Sequence, residues 1–164
     1  MAAAGGGYVL HVDQKQIQVV AKAMRAELDG KELRKDLIRT MKAAAAPMVT
    51  DLKAAIAMPG AAAGPSITAE VARAIKPTVR LAGRDTGVGV KAGNTSVRGF
   101  RKAAKAFNLR GWRHPVYGGP AWVAQTGRPG WFDTTTAGHR DALHAAVMTA
   151  VEDMARRIAA RSRS

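Results

Sequence analysis

The sequence predicts an α+β fold, with a small antiparallel sheet of three to four strands packed against a long helix at 31–57 and a long C-terminal helix. Three observations support this prediction. Apolar residues recur every three or four positions within 31–57 and again within 143–158, as on one face of a helix. Between these helices, short apolar stretches alternate with glycine-rich turns. All three tryptophans lie in a single irregular segment, 109–132, which is expected to close the core.

The amino end is predicted to be a flexible arm, residues 1–13, with a short strand at Tyr8–Val12. The remainder, 14–164, is predicted to form a single domain. Asp13 is a candidate N-cap for a helix over 14–28, whose end is marked by Gly30. The next helix, 31–57, contains Pro47, which is expected to kink or split it near 43–46.

The middle of the chain predicts short elements. Proline, glycine and alanine at 58–65 indicate a loop, and Ser66 is a candidate cap for a short helix with Ile67, Val71 and Ile75 on one face. The stretches 78–82 and 88–92 predict a β-hairpin.

The carboxyl part begins with a predicted third strand at 110–117. Glycine and proline between 118 and 130 indicate an ordered loop without regular ladder pairing. The last helix is expected to be capped by Asp133 or Thr136 and to carry a cluster of arginines near its end.

The net charge of +14 implies acidic surroundings, either nucleic acid or an acidic protein surface. A basic amphipathic helix is predicted over 96–107; its charged face is either simply solvated or in contact with a DNA backbone. The candidate contacts for DNA or an acidic partner are Arg98, Arg101, Lys102, Lys105, Arg156, Arg157 and Arg161.

The aromatic segment admits two interpretations. Its large side chains either complete the core or form a partner-binding surface, where Trp, Tyr and Arg are enriched. The candidates for a subunit or partner interface are Trp112, His114, Tyr117, Trp122, Trp131 and Phe132.

Several chemistries find no support in the residues. There is no cysteine, so disulfides and thiolate metal sites are excluded. His139 and His144 are five positions apart and do not share a helix face, and no Ser–His–Asp order or carboxylate pair stands out. We therefore expect no enzyme activity, no metal and no cofactor. No apolar run approaches a membrane span, and no signal peptide is evident, so we expect a soluble protein inside the cell.

The segments 112–118, 122–125 and 129–132, followed by a long helix, carry a resemblance. In order they contain His-Pro-Val-Tyr-Gly, a Trp with a nearby Gln, and a Pro-Gly followed by an aromatic pair; the typical family pattern is a His-Pro-aromatic-Gly step, a Trp with a nearby Gln, and a Pro followed by an aromatic pair. This set resembles the small tail-completion, or neck, proteins of long-tailed double-stranded DNA phages, distantly related to the minor tail protein Z of phage lambda. The resemblance extends from about Lys31 to the end, with a departure between 59 and 76.

The resemblance implies a structural virion protein at the head–tail junction, made in the host cytoplasm. Its partners would be copies of itself in a ring, expected to be hexameric, the neighbouring connector or head-completion proteins, and tail-tube or terminator proteins. Packaged DNA would pass through the ring. Two alternatives stay open: a tail terminator that caps the tail tube, and a basic protein that binds nucleic acid without sequence preference.

Overall fold

A computed structural model of the chain describes residues 7–10, 14–57, 65–83, 85–95, 101–109, 111–115 and 122–161. Helices and strands alternate irregularly within these ranges, so the predicted α+β class is confirmed. In chain order the elements are β1 Gly7–Leu10, α1 Gln14–Ala26, α2 Gly30–Ala44, α3 Ala46–Ala57, α4 Pro65–Ala74, β2 Ile75–Arg80, β3 Gly87–Ala92, α5 Ala103–Phe107, β4 Gly111–Pro115, β5 Trp122–Thr126, α6 Trp131–Gly138 and α7 Arg140–Arg161.

The chain divides into two compact units. The first unit contains Met1–Tyr8, Met48–Lys76 and Lys91–Gly138, and the second contains Val9–Pro47, Pro77–Val90 and His139–Ser164. Each unit is therefore assembled from segments that are distant in the sequence. The arm predicted at 1–13 lies mostly outside the described residues.

In the second unit, α1, α2 and α7 pack against one another in pairs. Each helix places an apolar stripe in the core, because its apolar residues recur with helical spacing. The buried side chains are Ile17, Val20, Ala21 and Met24 from α1, Leu33, Leu37 and Met41 from α2, and Leu143, Val147, Ala150, Val151, Met154 and Ile158 from α7. The helix predicted over 14–28 is confirmed as α1, although it ends at Ala26.

The corner between α1 and α2 requires a glycine. A Cβ atom added to Gly30 would lie 1.9 Å from the carbonyl oxygen of Met24, a backbone atom that has little room to move. Gly30 also donates from its backbone nitrogen to the Glu27 carbonyl (3.1 Å). The two helices can therefore pack this closely only if residue 30 lacks a side chain.

The long predicted helix is split, as its proline indicated. α2 ends at Ala44 and α3 begins at Ala46, with Ala45 donating to the Lys42 carbonyl between them (3.2 Å). Pro47 lies in the first turn of α3, where its missing N–H would have no helical acceptor. Met48, Leu52 and Ile56 of α3 are buried.

The strands form two small sheets, which corrects the prediction of one antiparallel sheet with three to four strands. One has the order β1-β3-β2, and the other is the two-stranded antiparallel pair β4-β5. β5 was expected to be loop. It pairs regularly with β4 from Gly111 opposite Thr126 to Pro115 opposite Trp122. The glycines and prolines of that predicted loop lie outside 122–126, so every residue of β5 retains its backbone donor.

β2 begins earlier than predicted. Ile75 was assigned to the apolar face of a short helix, but α4 ends at Ala74 and Ile75 is a buried strand residue. Pro77 provides the reason, because a residue preceding proline is pushed towards extended backbone and proline cannot donate within a helix.

The basic helix predicted over 96–107 is shorter in its described part. Residues 101 and 102 form a turn, and helix α5 covers only Ala103–Phe107. The Arg101 carbonyl accepts from the backbone nitrogen of Thr95 (3.0 Å), and the first helical bond runs from Ala106 to the Lys102 carbonyl (3.1 Å). Residues 96–100 lie outside the described residues.

The predicted last helix is two helices. α6 begins at Trp131, so Asp133 lies in its first turn and Thr136 lies inside it; neither caps α7. The Thr136 hydroxyl hydrogen-bonds the carbonyls of Phe132 and Asp133 (2.9 and 3.1 Å). α6 ends at Gly138, in line with the low helix propensity of glycine, and His139 separates it from α7.

Candidate functional site

One face of the β4–β5 pair is open to solvent and carries an exposed tryptophan. Trp122, Ala124 and Thr126 alternate along β5 and therefore share a face, and Arg113 lies directly opposite Ala124 on β4. All four side chains are exposed, with Trp122 at 58%. We call this set, Arg113, Trp122, Ala124 and Thr126, the β4–β5 face. It presents the features that are enriched at protein interfaces, an aromatic side chain beside an arginine.

Trp131 and Phe132, two other predicted interface residues, are buried instead. They are 3% and 5% exposed, and their rings meet edge to face with centroids 5.5 Å apart and an interplanar angle of 90°. The indole Nε1 of Trp131 has no hydrogen-bond acceptor among the described residues. In this structure both rings belong to the core of the first unit and present no surface to a partner.

Asn108 holds the start of α6 and so positions this aromatic pair. Its Oδ1 accepts from the backbone nitrogen of Phe132 (3.1 Å), and its Nδ2 donates to Asp133 Oδ2 (2.9 Å). Its backbone carbonyl accepts from Gly130 (3.2 Å). Gly130 has a φ of +72°, a left-handed conformation that glycine adopts without strain. The turn into α6 is thus anchored by a residue far upstream.

Only some of the other predicted interface residues in the aromatic segment lie in the part of the chain that the structure describes. Trp112 and His114 lie in β4, opposite Gln125 and Val123 in the register. Tyr117 lies outside the described residues. The interface role of Trp112, His114, Tyr117 and Trp122 stays a prediction; of these, Trp122 is the one whose side chain the structure shows at the surface.

The predicted basic contacts near α5 are solvent-exposed. Arg101 and Lys102 lie in the turn before α5, and Lys105 lies within it. Arg98 lies outside the described residues. Three cations on this short turn and helix remain candidates for contact with an acidic partner.

The predicted arginines of α7 already have carboxylate partners. Arg156 pairs with Asp153, Arg157 with Asp36 (3.4 Å), and Arg161 with Asp29. The last two pairs join α7 to α2 and to the residue that precedes it. The hydrogen bond from Arg161 lowers the pKa of Asp29, and the Asp29 carboxylate in turn raises the pKa of Arg161. These arginines therefore neutralise acidic groups of the second unit.

A basic stripe on α2, which the sequence analysis did not select, stands out in the structure. Its members are exposed and none has a carboxylate partner among the described residues: Lys31, Arg34, Lys35 and Lys42. Their spacing places them on one side of the helix, next to the side that carries Leu33, Leu37 and Met41. The spacing of these four cations can be read from the sequence. Only the structure shows that Asp36 of α2 and the preceding Asp29 are paired with arginines of α7.

No group of three or more histidines, cysteines or carboxylates that could hold a metal ion occurs in the part of the chain that the structure describes. Over the same residues, none of the helices combines the length and the apolar character that crossing a bilayer requires.

No protein-family model, curated protein or solved structure matches this chain. The resemblance to phage tail-completion proteins therefore stays a prediction, which the ordered motifs of 112–132 support.

Proposed function

We propose that the protein is a structural component of a phage head–tail junction, which completes the tail or joins it to the capsid connector as one subunit of a ring. The ordered motifs at 112–118, 122–125 and 129–132 support the family. The observation that carries the proposal is the exposure of Trp122 within one of these motifs, while Trp131 and Phe132 of the next motif are buried.

Covering an exposed indole with a partner is favourable, because it removes apolar surface from water. Burial of an aromatic side chain removes about 150–250 Å² from solvent, and tryptophans of this kind commonly anchor protein interfaces. In a ring, the β4–β5 face of one subunit would contact a different surface of the next subunit, and such heterologous contacts close when the rotation is an integral fraction of a turn. The ring expected from the family resemblance has six subunits and surrounds packaged DNA.

The mass of the purified protein at physiological salt tests this proposal. We expect a discrete oligomer, with ring-shaped particles in negative-stain electron microscopy, that Trp122→Ala dissociates into folded subunits. Leu109→Ala is the matched control, because Leu109 is also exposed (54%) and lies in the first unit but outside the β4–β5 face. An oligomer equally sensitive to both changes, or insensitive to Trp122→Ala, would contradict the assigned interface.

Two other functions remain candidates. A tail terminator shares the location and the ring, and would be recognised by capping isolated tail tubes in electron micrographs. A nucleic-acid-binding protein is favoured by the α2 stripe and the +14 charge. Monomers that bind duplex DNA with a steep salt dependence, and never form a ring, would support a nucleic-acid-binding protein over either ring-forming phage protein.

A further inference from the structure

We propose that the α1–α2 corner and the basic stripe of α2 form a binding surface for the phosphate backbone of duplex DNA. This goes beyond the proposed ring function, which assigned subunit contacts to the β4–β5 face; it assigns DNA contact to the stripe that also favours the nucleic-acid-binding alternative. The stripe, defined above as Lys31, Arg34, Lys35 and Lys42, lies entirely within the second unit.

Most of the cations of α2 lie on one side of the helix. At about 100° per residue, the stripe occupies an arc of about 100°, which also holds the half-buried Ile38, and the buried Leu33, Leu37 and Met41 lie on the adjoining arc. Glu32 and Asp36 lie on the flank between them. From Lys31 to Lys42 the stripe extends for about 16 Å. Duplex DNA presents about one phosphate per 1.7 Å of its axis, so a segment of that length offers about ten negative charges.

Ion pairs with arginines reduce the internal competition for this stripe. Asp36 bonds Arg39 (2.9 Å) and Arg157 (3.4 Å), and Asp29 bonds Arg161. Two of the carboxylates near the stripe are therefore committed to arginines. The stripe residues keep their charges for an external anion.

At the corner, the stripe continues onto a concave surface. Its cations are Arg25, Lys31, Arg34 and Lys35, and the fully exposed Leu28 stands among them. Glu27 and Glu32 line the same surface and have no ion pair among the described residues, so four cations face two such carboxylates there. The balance is positive and attracts a polyanion.

The residue types favour DNA over the other anionic partners. Three of the four stripe residues are lysines, which contact phosphates readily and are depleted at protein–protein interfaces. An anionic membrane surface would require an exposed apolar helix face, and here the apolar face of α2 is buried, with Leu28 alone exposed at the corner. Phosphate contacts of this kind carry no sequence preference.

Fluorescence anisotropy of a labelled 20-base-pair duplex with the full chain, from about 50 to about 200 mM salt, tests this surface. The double variant Lys31→Gln/Lys35→Gln is expected to bind on the order of tenfold more weakly and to reduce the slope of log K against log salt by about 1.8, since each phosphate contact contributes about 0.9. The control is Lys53→Gln/Lys91→Gln, which removes the same charge from two exposed lysines elsewhere.

The control is expected to change the affinity by no more than about twofold. If both double variants weaken duplex binding equally, the attraction is diffuse and does not depend on the stripe, which overturns the proposal. The absence of duplex binding by the wild type would overturn it as well. Binding of polyglutamate or of phosphatidylserine vesicles with equal affinity and equal dependence on Lys31 and Lys35 would also overturn it, because the partner would then be an acidic protein or a lipid. Thermal melts confirm that each variant is folded. Ring formation through Trp122 is measured separately, so either proposal can fail while the other holds.

Discussion

Asn108 Oδ1 accepts a hydrogen bond from the backbone amide of Phe132 at 3.1 Å, so the first turn of α6 is capped by a side chain from 24 positions upstream. A helix leaves its first four amide groups without internal acceptors, and a capping oxygen satisfies one of them. Because Phe132 is buried beside Trp131, this one bond also determines where the aromatic pair enters the core.

Asn108→Ala is therefore expected to lower the free energy of unfolding by about 1–2 kcal/mol, since it removes the cap and leaves the Phe132 amide unsatisfied. Urea denaturation followed by circular dichroism measures the change. Asn94→Ala serves as the control, because Asn94 is exposed, and it should stay within about 0.5 kcal/mol of the wild type. Equal effects of the two substitutions would remove the capping role from Asn108.

Gly30→Ala should destabilise the protein by about 2 kcal/mol or more, because the new Cβ would meet the Met24 carbonyl oxygen at 1.9 Å and force the α1–α2 corner apart. Gly138→Ala is the matched comparison. A Cβ at Gly138 has no atom within 4 Å, so alanine there should leave stability unchanged or raise it by up to about 1 kcal/mol. Denaturant midpoints for the two variants should move in opposite directions or differ clearly in size.

The Asp29–Arg161 pair should make stability depend on acid pH. Its hydrogen bond lowers the pKa of Asp29 in the folded chain below the value of about 3.9 that an unfolded aspartate has. A lowered carboxyl pKa contributes stability that is present above about pH 4 and is lost as the pH falls through the folded-state value. The difference in unfolding free energy between wild type and Asp29→Asn should thus be largest near neutral pH and shrink in acid.

Chemical denaturation of both proteins between neutral and strongly acidic pH measures this difference. Glu152→Gln, at an exposed position of α7, is the control and should show little pH-dependent difference from wild type. If the difference in unfolding free energy between wild type and Asp29→Asn stays constant across the acid range, the charge of Asp29 contributes nothing to stability.

Truncation of the two tryptophans with described side chains should affect different properties: stability for Trp131 and assembly for Trp122. Trp131→Ala removes a side chain that is 3% exposed and is expected to cost about 3–5 kcal/mol of stability. Trp122→Ala removes one that is 58% exposed and should cost less than about 1 kcal/mol while abolishing assembly. If Trp122→Ala instead unfolds the subunit, Trp122 supports the fold and the β4–β5 face loses its proposed role.

The helices were predictable because their determinants are local. The apolar spacing of 143–158 and the proline at 47 act over a few residues, and both α7 and the break between α2 and α3 follow from them. Where a local signal was overlooked, the prediction failed. Pro77 disfavours helix in the residues before it, so β2 starts at Ile75, and the absence of glycine or proline within 122–126 allowed β5.

The candidate sites were less predictable, because exposure and charge pairing depend on distant segments. The composition gives three tryptophans and a net charge of +14. It did not distinguish Trp122 at the surface from Trp131 in the core, since burial is decided by what packs over a side chain.

By itself, the sequence determined the α+β class, the positions of the main helices and the strongly basic character, all of which follow from short-range periodicity and from composition. Only the tertiary structure decided that Arg157 and Arg161 neutralise Asp36 and Asp29, more than a hundred positions away. The physical reason is that the field around a cation is set by its neighbours in space. That pairing occupies the α7 arginines, and the α2 stripe is left as an exposed positive surface.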